Sequence, residues 1–105
     1  MAAAVRRVTP RHAFVGTVTK WDPTLLHLSA REGVQFPDRR SLPEGYPRDS
    51  RAAVAHLERL RGGGMSHLVV PRASMLWLDH YEGLAERLPE PAHADDDCLI
   101  FDLAA

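Results

Sequence analysis

The fold is decided by one stretch of the sequence, Ser66-His67-Leu68-Val69-Val70-Pro71-Arg72-Ala73-Ser74-Met75-Leu76-Trp77-Leu78-Asp79-His80-Tyr81. Residues 68–70 are apolar without polar alternation, which is typical of a strand covered on both faces in a parallel sheet. Pro71 ends this strand, and residues 75–81 then predict a helix with Ser74 as its N-cap. Ligands of α/β proteins bind outside the carboxyl ends of the strands, so residues 71–74 mark a candidate site; the alternative is a plain strand-to-helix connection.

Length and composition indicate one soluble domain. The chain has 105 residues, of which 45% are hydrophobic and 26% charged, as in ordinary globular domains. No apolar run approaches the ~20 residues that span a bilayer, and the N-terminus has no signal-peptide core. We therefore expect a cytoplasmic protein without a membrane partner. Residues 1–11 predict a flexible leader, followed by a single α/β domain over 12–105.

Charge and cysteine content narrow the function classes. The formal net charge is −1, which gives no general attraction to nucleic acid. Cys98 is the one cysteine, so an intrachain disulfide is impossible. Its strand-like surroundings predict a small buried hydrophobic residue.

The other elements follow from apolar periodicity and turn residues. They are a strand over 13–19, a short helix from Asp22 and Pro23, a strand over 34–36, a surface loop over 37–48, a helix over 49–61, an acidic loop over 89–97 and a last strand over 98–103. A hairpin from 25–29 to 34–36 is the alternative to the short helix.

The helix over 49–61 has the clearest pattern. Asp49 or Ser50 caps it, and Gly62 closes it. Its apolar stripe consists of Ala53, Val54, Leu57 and Leu60, with His56 on the outward side. Alternating strands and helices then predict an α/β fold with a small, mostly parallel sheet of about four strands and flanking helices, a Rossmann-like half in three layers.

Several well-known motifs are absent from the sequence. There is no Gly-x-Gly-x-x-Gly after a strand, no Walker-type loop and no Gly-x-Ser-x-Gly elbow. No two of the six histidines are spaced three or four apart, so no helical zinc pair exists. The run Asp95-Asp96-Asp97 lacks the spacing of a calcium loop. We expect neither a cofactor nor a metal.

Two tryptophans follow the strands that are expected to be neighbours. Trp21 follows the first strand and Trp77 the central one, so both indoles are predicted at one sheet edge if these strands are parallel. Aromatic faces beside Arg72 and Asp79 suit a sugar or another polar ring; the alternative for Trp77 is core packing. The predicted ligand-binding residues are Lys20, Trp21, Arg72, Ser74, Trp77, Asp79 and Tyr81.

The chain also resembles a known type of domain. The similar segments are Val34-Gln35-Phe36-Pro37, Gly45-Tyr46-Pro47, the helix over 49–61 and the stretch over 68–81. From Trp21 onward the chain resembles a small α/β domain found beside or fused to glycosyltransferase and methyltransferase domains in proteins of GC-rich bacteria. It departs from that pattern at Leu76, where the family has an aromatic residue, and at Val34-Gln35, where it has Trp-His. The resemblance implies an α/β fold and a role in glycoconjugate or secondary metabolism.

These observations favour a non-catalytic accessory or binding domain that serves glycosyl or other group-transfer pathways. Its partner would be a group-transfer enzyme, a glycan or a nucleotide-sugar. One alternative is a small enzyme with a shallow site in the same place, in which His80 is the general base and Arg72 holds an anion. A second alternative is a homodimeric structural protein that uses the sheet edge or the aromatic helix as its interface.

Overall fold

The computed structural model describes residues 2–18, 32–36, 47 and 49–103. Its elements are α1 (Ala2–Val8), β1 (Phe14–Val18), β2 (Glu32–Phe36), α2 (Ser50–Gly62), β3 (Met65–Pro71), a 3-10 turn (Arg72–Ser74), α3 (Met75–His80), α4 (Glu82–Arg87), β4 (His93–Ala94) and β5 (Cys98–Asp102). The predicted short helix from Asp22, its hairpin alternative and, apart from Pro47, the predicted loop over 37–48 lie outside the described residues. Within the described part of the chain, none of the helices has both the length and the apolar character needed to cross a bilayer.

The strands form one mixed sheet in the order β2-β1-β3-β5-β4. Strand β1 is parallel to both β2 and β3, with Gly16 opposite Val34 on one side and Leu68 on the other. Strand β5 is antiparallel to β3, and the two-residue β4 is antiparallel to β5. The α/β class is therefore confirmed, whereas the expectation of a mostly parallel sheet is corrected to a mixed one.

A tight turn at Asp95 explains the reversed direction of β5. The Asp95 amide donates to the Cys98 carbonyl at 3.1 Å. Its carboxylate Oδ1 accepts from the amides of Asp97 and Cys98 at 2.7 and 2.9 Å. Aspartate favours such turns because its side chain bonds the backbone two residues further on. The acidic segment is thus a hairpin turn, and an antiparallel strand can follow a hairpin without a crossover helix.

The central strand is covered on both faces, as its apolar run predicts. Leu68, Val69 and Val70 are all 0% exposed. Leu68 and Val70 belong to the larger core cluster, which contains buried residues of α2, α3 and α4. Val69 belongs to a smaller cluster on the opposite face, together with residues of α1. Helices therefore lie on both faces of the sheet, and the described part of the molecule has three layers.

Residues 1–11, which were expected to be a flexible leader, contain α1. Ala4 and Val5 of this helix are buried, and Val8 is partly buried against the same cluster. Their spacing gives α1 a short apolar stripe that packs against the sheet. A helix of seven residues is too short for this periodicity to stand out in the sequence.

Helix α2 has the predicted N-cap and the predicted buried stripe, but it ends one residue later than predicted, with Gly63 instead of Gly62 as its C-cap. The Asp49 carboxylate accepts a hydrogen bond from the Ala52 amide at 2.9 Å, as an N-cap should. Ala53 and Leu57 are buried. His56, expected on the outward side, is instead 0% exposed. Its ring stacks on Phe36, with centroids 5.4 Å apart and planes at 25°.

Candidate functional site

The ends of three parallel strands form one edge of the sheet, which we call the carboxyl rim. It consists of the last residues of β1, β2 and β3, namely Val18, Phe36 and Pro71, together with the 3-10 turn and the start of β5. Cys98 belongs to this rim because it lies opposite Pro71 in the antiparallel register. The prediction that the first and central strands run side by side in the same direction is confirmed.

Ser74 and Arg72 have different roles at the rim. Ser74 is 0% exposed, and its hydroxyl donates to the Val18 carbonyl at 2.6 Å. It occupies the N-cap position of α3 but makes no side-chain capping bond, so the predicted capping role is wrong. The Arg72 amide donates to the Asp97 carbonyl at 2.8 Å, and the residue is exposed. Ser74 therefore joins β1 to the turn after β3, whereas Arg72 presents its side chain to solvent.

The remaining predicted site residues are only partly described. Asp79 is exposed on α3. Tyr81 is 2% exposed, and its hydroxyl donates to the Pro47 carbonyl at 2.7 Å, so its ring belongs to the core. Lys20 and Trp21 lie outside the described residues, as do the side chains of Trp77 and His80. The meeting of the two indoles stays a prediction.

A second group of reactive side chains lies at the same rim, on the face covered by α1. His93, Asp95 and Cys98 each offer one ligand atom, and these three atoms lie within 4.8 Å of one another. His93 Nε2 is 2.6 Å from Asp95 Oδ2. The sequence did not reveal this group, because metal-binding histidines on a helix are spaced three or four residues apart. Here the hairpin brings together residues at positions i, i+2 and i+5.

The hairpin also sets the electrostatics of this group. The hydrogen bond from His93 and those from the Cys98 and Asp97 amides lower the pKa of Asp95 to about 2. Burial, followed by the negative charge of Asp95, raises the pKa of the Cys98 thiol. At neutral pH the group therefore combines an ionised carboxylate with a protonated thiol.

A shallow groove lies away from the carboxyl rim. It has a volume of about 240 Å³ and is lined by Leu57, Glu58, Arg61, Arg87, Leu88, Pro89 and Leu103. The Leu103 amide donates to the Ser66 carbonyl at 2.9 Å, which places this end of the groove beside the start of β3. Glu58 pairs with Arg87 at 2.7 Å and with Arg61 at 3.4 Å. These pairs are partly exposed surface ion pairs, which contribute little to stability.

A serine, a histidine and an aspartate also meet near the start of β3. Ser66 Oγ is 2.7 Å from His67 Nδ1, and His67 Nε2 is 3.9 Å from Asp102 Oδ2. The second distance is too long for a hydrogen bond. The aspartate therefore does not orient the imidazole as it does in a catalytic triad. Burial lowers the pKa of His67, against the opposing attraction of Asp102.

No family model, curated protein or solved structure matches the chain. The resemblance to a domain associated with glycosyltransferases therefore stays a prediction.

His67 is expected to make the protein less stable at mildly acidic pH. Its pKa in the folded state lies below the unfolded value of 6.5, so the unfolded chain binds more protons between those two values. The part of the stability that depends on neutral His67 is fully present above about pH 6.5 and is lost as the pH falls toward the folded pKa. The slope from this group stays below about 1.4 kcal/mol per pH unit, the limit for one proton. Urea unfolding at pH 7.5 and 5.5 measures the difference.

Substitution of His67 isolates this contribution. His67→Gln should reduce the loss of stability between the two pH values, whereas His12→Gln, at an exposed position, should leave the loss unchanged. An identical pH dependence in His67→Gln and the unaltered protein would contradict the assignment.

Proposed function

We propose that this chain is a non-catalytic binding domain that serves a glycosyl or other group-transfer reaction and holds a nucleotide-sugar at the carboxyl rim. The supporting observation is the strand order β2-β1-β3, in which β1 is parallel to both neighbours. After β1 the chain forms β2 on one side of β1, and it then crosses to the other side of β1 to form β3. In open α/β sheets, ligands bind at the carboxyl ends of the strands where the order reverses in this way. The same order supports a Rossmann-like relationship for this part of the sheet.

The chemistry of the rim fits a phosphorylated sugar. Arg72 follows directly after β3 and is exposed, and its planar guanidinium can bind two phosphate oxygens at once. Asp79 is exposed on the helix that begins at the rim and can accept hydrogen bonds from sugar hydroxyls. The predicted stacking of Trp21 and Trp77 on the base or sugar ring completes the proposal.

The hydroxyl groups of two predicted site residues support binding over catalysis. Those of Ser74 and Tyr81 both donate to backbone carbonyls. Among the described side chains of residues 71–81, there is no nucleophile paired with a neighbouring general base. The enzyme alternative therefore depends on His80, and the homodimer alternative stays a prediction.

The proposal is tested by titrating UDP-glucose into the isotope-labelled chain and following the backbone amide resonances. We expect the largest shifts at the amides of Val18, of Arg72–Ser74 and of the first residues of α3. Arg72→Ala should weaken binding at least about tenfold, because a hydrogen bond to a charged group contributes about 1.5–3 kcal/mol and about 1.4 kcal/mol corresponds to a factor of ten. Arg59→Ala removes an equal charge from an exposed position on α2 and should leave the affinity unchanged.

Three results would overturn the proposal. The first is the absence of rim shifts at millimolar UDP-glucose, and the second is an equal effect of Arg72→Ala and Arg59→Ala on the affinity. The third is hydrolysis or transfer of the glucosyl group in the same sample, seen by phosphorus resonance and abolished by His80→Ala. The third result would favour the enzyme alternative.

A further inference from the structure

We infer that the β4–β5 hairpin is a binding site for a zinc-type divalent cation, held by His93, Asp95 and Cys98. The site goes beyond the proposed nucleotide-sugar function and does not depend on it. Its basis is geometric, since an imidazole nitrogen, a carboxylate oxygen and a thiol sulfur lie within 4.8 Å of one another. Zinc ligands at about 2.0–2.3 Å from the metal stand roughly 3.3–3.8 Å apart in a tetrahedron. Small side-chain rotations therefore convert the observed group into a ligand set.

The carboxylate is already oriented for this role. Asp95 Oδ1 accepts from the amides of Asp97 and Cys98 at 2.7 and 2.9 Å, which leaves Oδ2 directed at His93. The backbone bond from Asp95 to Cys98 closes the turn. Such second contacts normally fix the ligands of a metal site, and here they are present before any ion binds.

The donor set indicates which cation fits. Imidazole and thiolate together select borderline-soft ions such as Zn²⁺ or Co²⁺, whereas Ca²⁺ and Mg²⁺ require oxygen ligands. Asp95 and a thiolate at Cys98 neutralise the two positive charges of the ion, and the thiol proton leaves to solvent when the ion binds. Cys98 is buried, His93 is half-buried and Asp95 is exposed. Three protein ligands leave a fourth position for water or for a group of a bound ligand.

Arg7 of α1 opposes the metal-bound state. Its Nη2 lies 3.4 Å from His93 Nδ1. An arginine can only donate, so Nδ1 accepts from Arg7 and the His93 proton resides on Nε2, facing Asp95. A cation on Nε2 moves that proton to Nδ1, where it faces the Arg7 guanidinium. Arg7 therefore favours the metal-free state, and an acceptor at position 7 should favour the metal-bound one.

The test is a titration of the full chain with Co²⁺ alone, followed by displacement with Zn²⁺. We expect one equivalent to produce a thiolate-to-cobalt charge-transfer band that disappears in Cys98→Ala. His93→Gln and Asp95→Asn should each weaken binding at least tenfold. Arg7→Glu should tighten binding several-fold, whereas Arg11→Glu, at an exposed position beyond α1, provides the same charge change and should not.

The comparison of Arg7→Glu with Arg11→Glu keeps the experiment informative even if substitution of His93, Asp95 or Cys98 unfolds the chain. Circular dichroism of each variant verifies its folding. No charge-transfer band at millimolar Co²⁺ would overturn the site. Equal affinities for Arg7→Glu and Arg11→Glu would show that general surface charge, not His93, controls the binding. Because UDP-glucose shifts are measured without metal, failure here leaves the nucleotide-sugar proposal standing, and the reverse also holds.

Discussion

Leu68→Ala is expected to lower the free energy of unfolding by about 2–5 kcal/mol, the range for a buried leucine truncated to alanine. Leu68 is 0% exposed and lies on β3, between Gly16 of β1 and Phe101 of β5. The neighbouring strands and the covering helices relax only partially around such a gap, so the space left by the side chain does not fully close. Domains of this size are stable by about 5–15 kcal/mol, and the variant should therefore unfold at a much lower urea concentration, as measured by circular dichroism.

Leu76 provides a matched control for this substitution. It is the same residue type but is 75% exposed on α3, so Leu76→Ala should change the free energy of unfolding by no more than about 0.5 kcal/mol. Equal losses in the two variants would contradict the central position of β3.

The part of the fold that the sequence predicted is the part controlled by local pattern. The apolar run at 68–70 required cover on both faces, and Asp49 marked the start of α2, whereas the predicted end at Gly62 falls one residue before the C-cap at Gly63. Each of these features depends on residues within one or two turns of chain.

The features that the sequence did not predict depend on distant or geometric partners. The direction of β5 is set by hydrogen bonds to one carboxylate in the turn, which composition shows only as an acidic loop. His56 was assigned to the outward side because it is polar, but an imidazole can stack on a ring such as Phe36 and remain buried. Residue type alone does not distinguish these two outcomes.

The candidate site shows the same division. Sequence reasoning placed residues 71–74 at the ends of parallel strands, and the pairing of β1 with β3 confirms that location. It could not predict that the Ser74 hydroxyl donates a hydrogen bond to a carbonyl 56 residues away in the sequence. Nor could it predict that the Tyr81 hydroxyl donates to a carbonyl 34 residues away. The cluster of His93, Asp95 and Cys98 could not be predicted either, because these side chains converge only when the hairpin forms.

Phe36→Ala is expected to destabilise the protein by about 3–5 kcal/mol, the usual loss when a buried aromatic ring is truncated. Phe36 is 0% exposed and is the last residue of β2, where it stacks on His56 of α2. Removing the ring leaves a cavity between the sheet and α2 and exposes one face of a buried imidazole to that cavity. Urea unfolding followed by circular dichroism measures the loss.

A double-mutant cycle separates the stacking from the lost volume. Phe36→Leu keeps most of the apolar volume and should cost less than about 1.5 kcal/mol. Combining it with His56→Leu should give a coupling of about 0.5–1.5 kcal/mol if the rings interact beyond simple burial.

A loss below about 1 kcal/mol for Phe36→Ala would mean that the end of β2 is not anchored to α2. The carboxyl rim would then have two strand ends fixed by core packing instead of three, with β2 held at the rim only by its backbone pairing with β1.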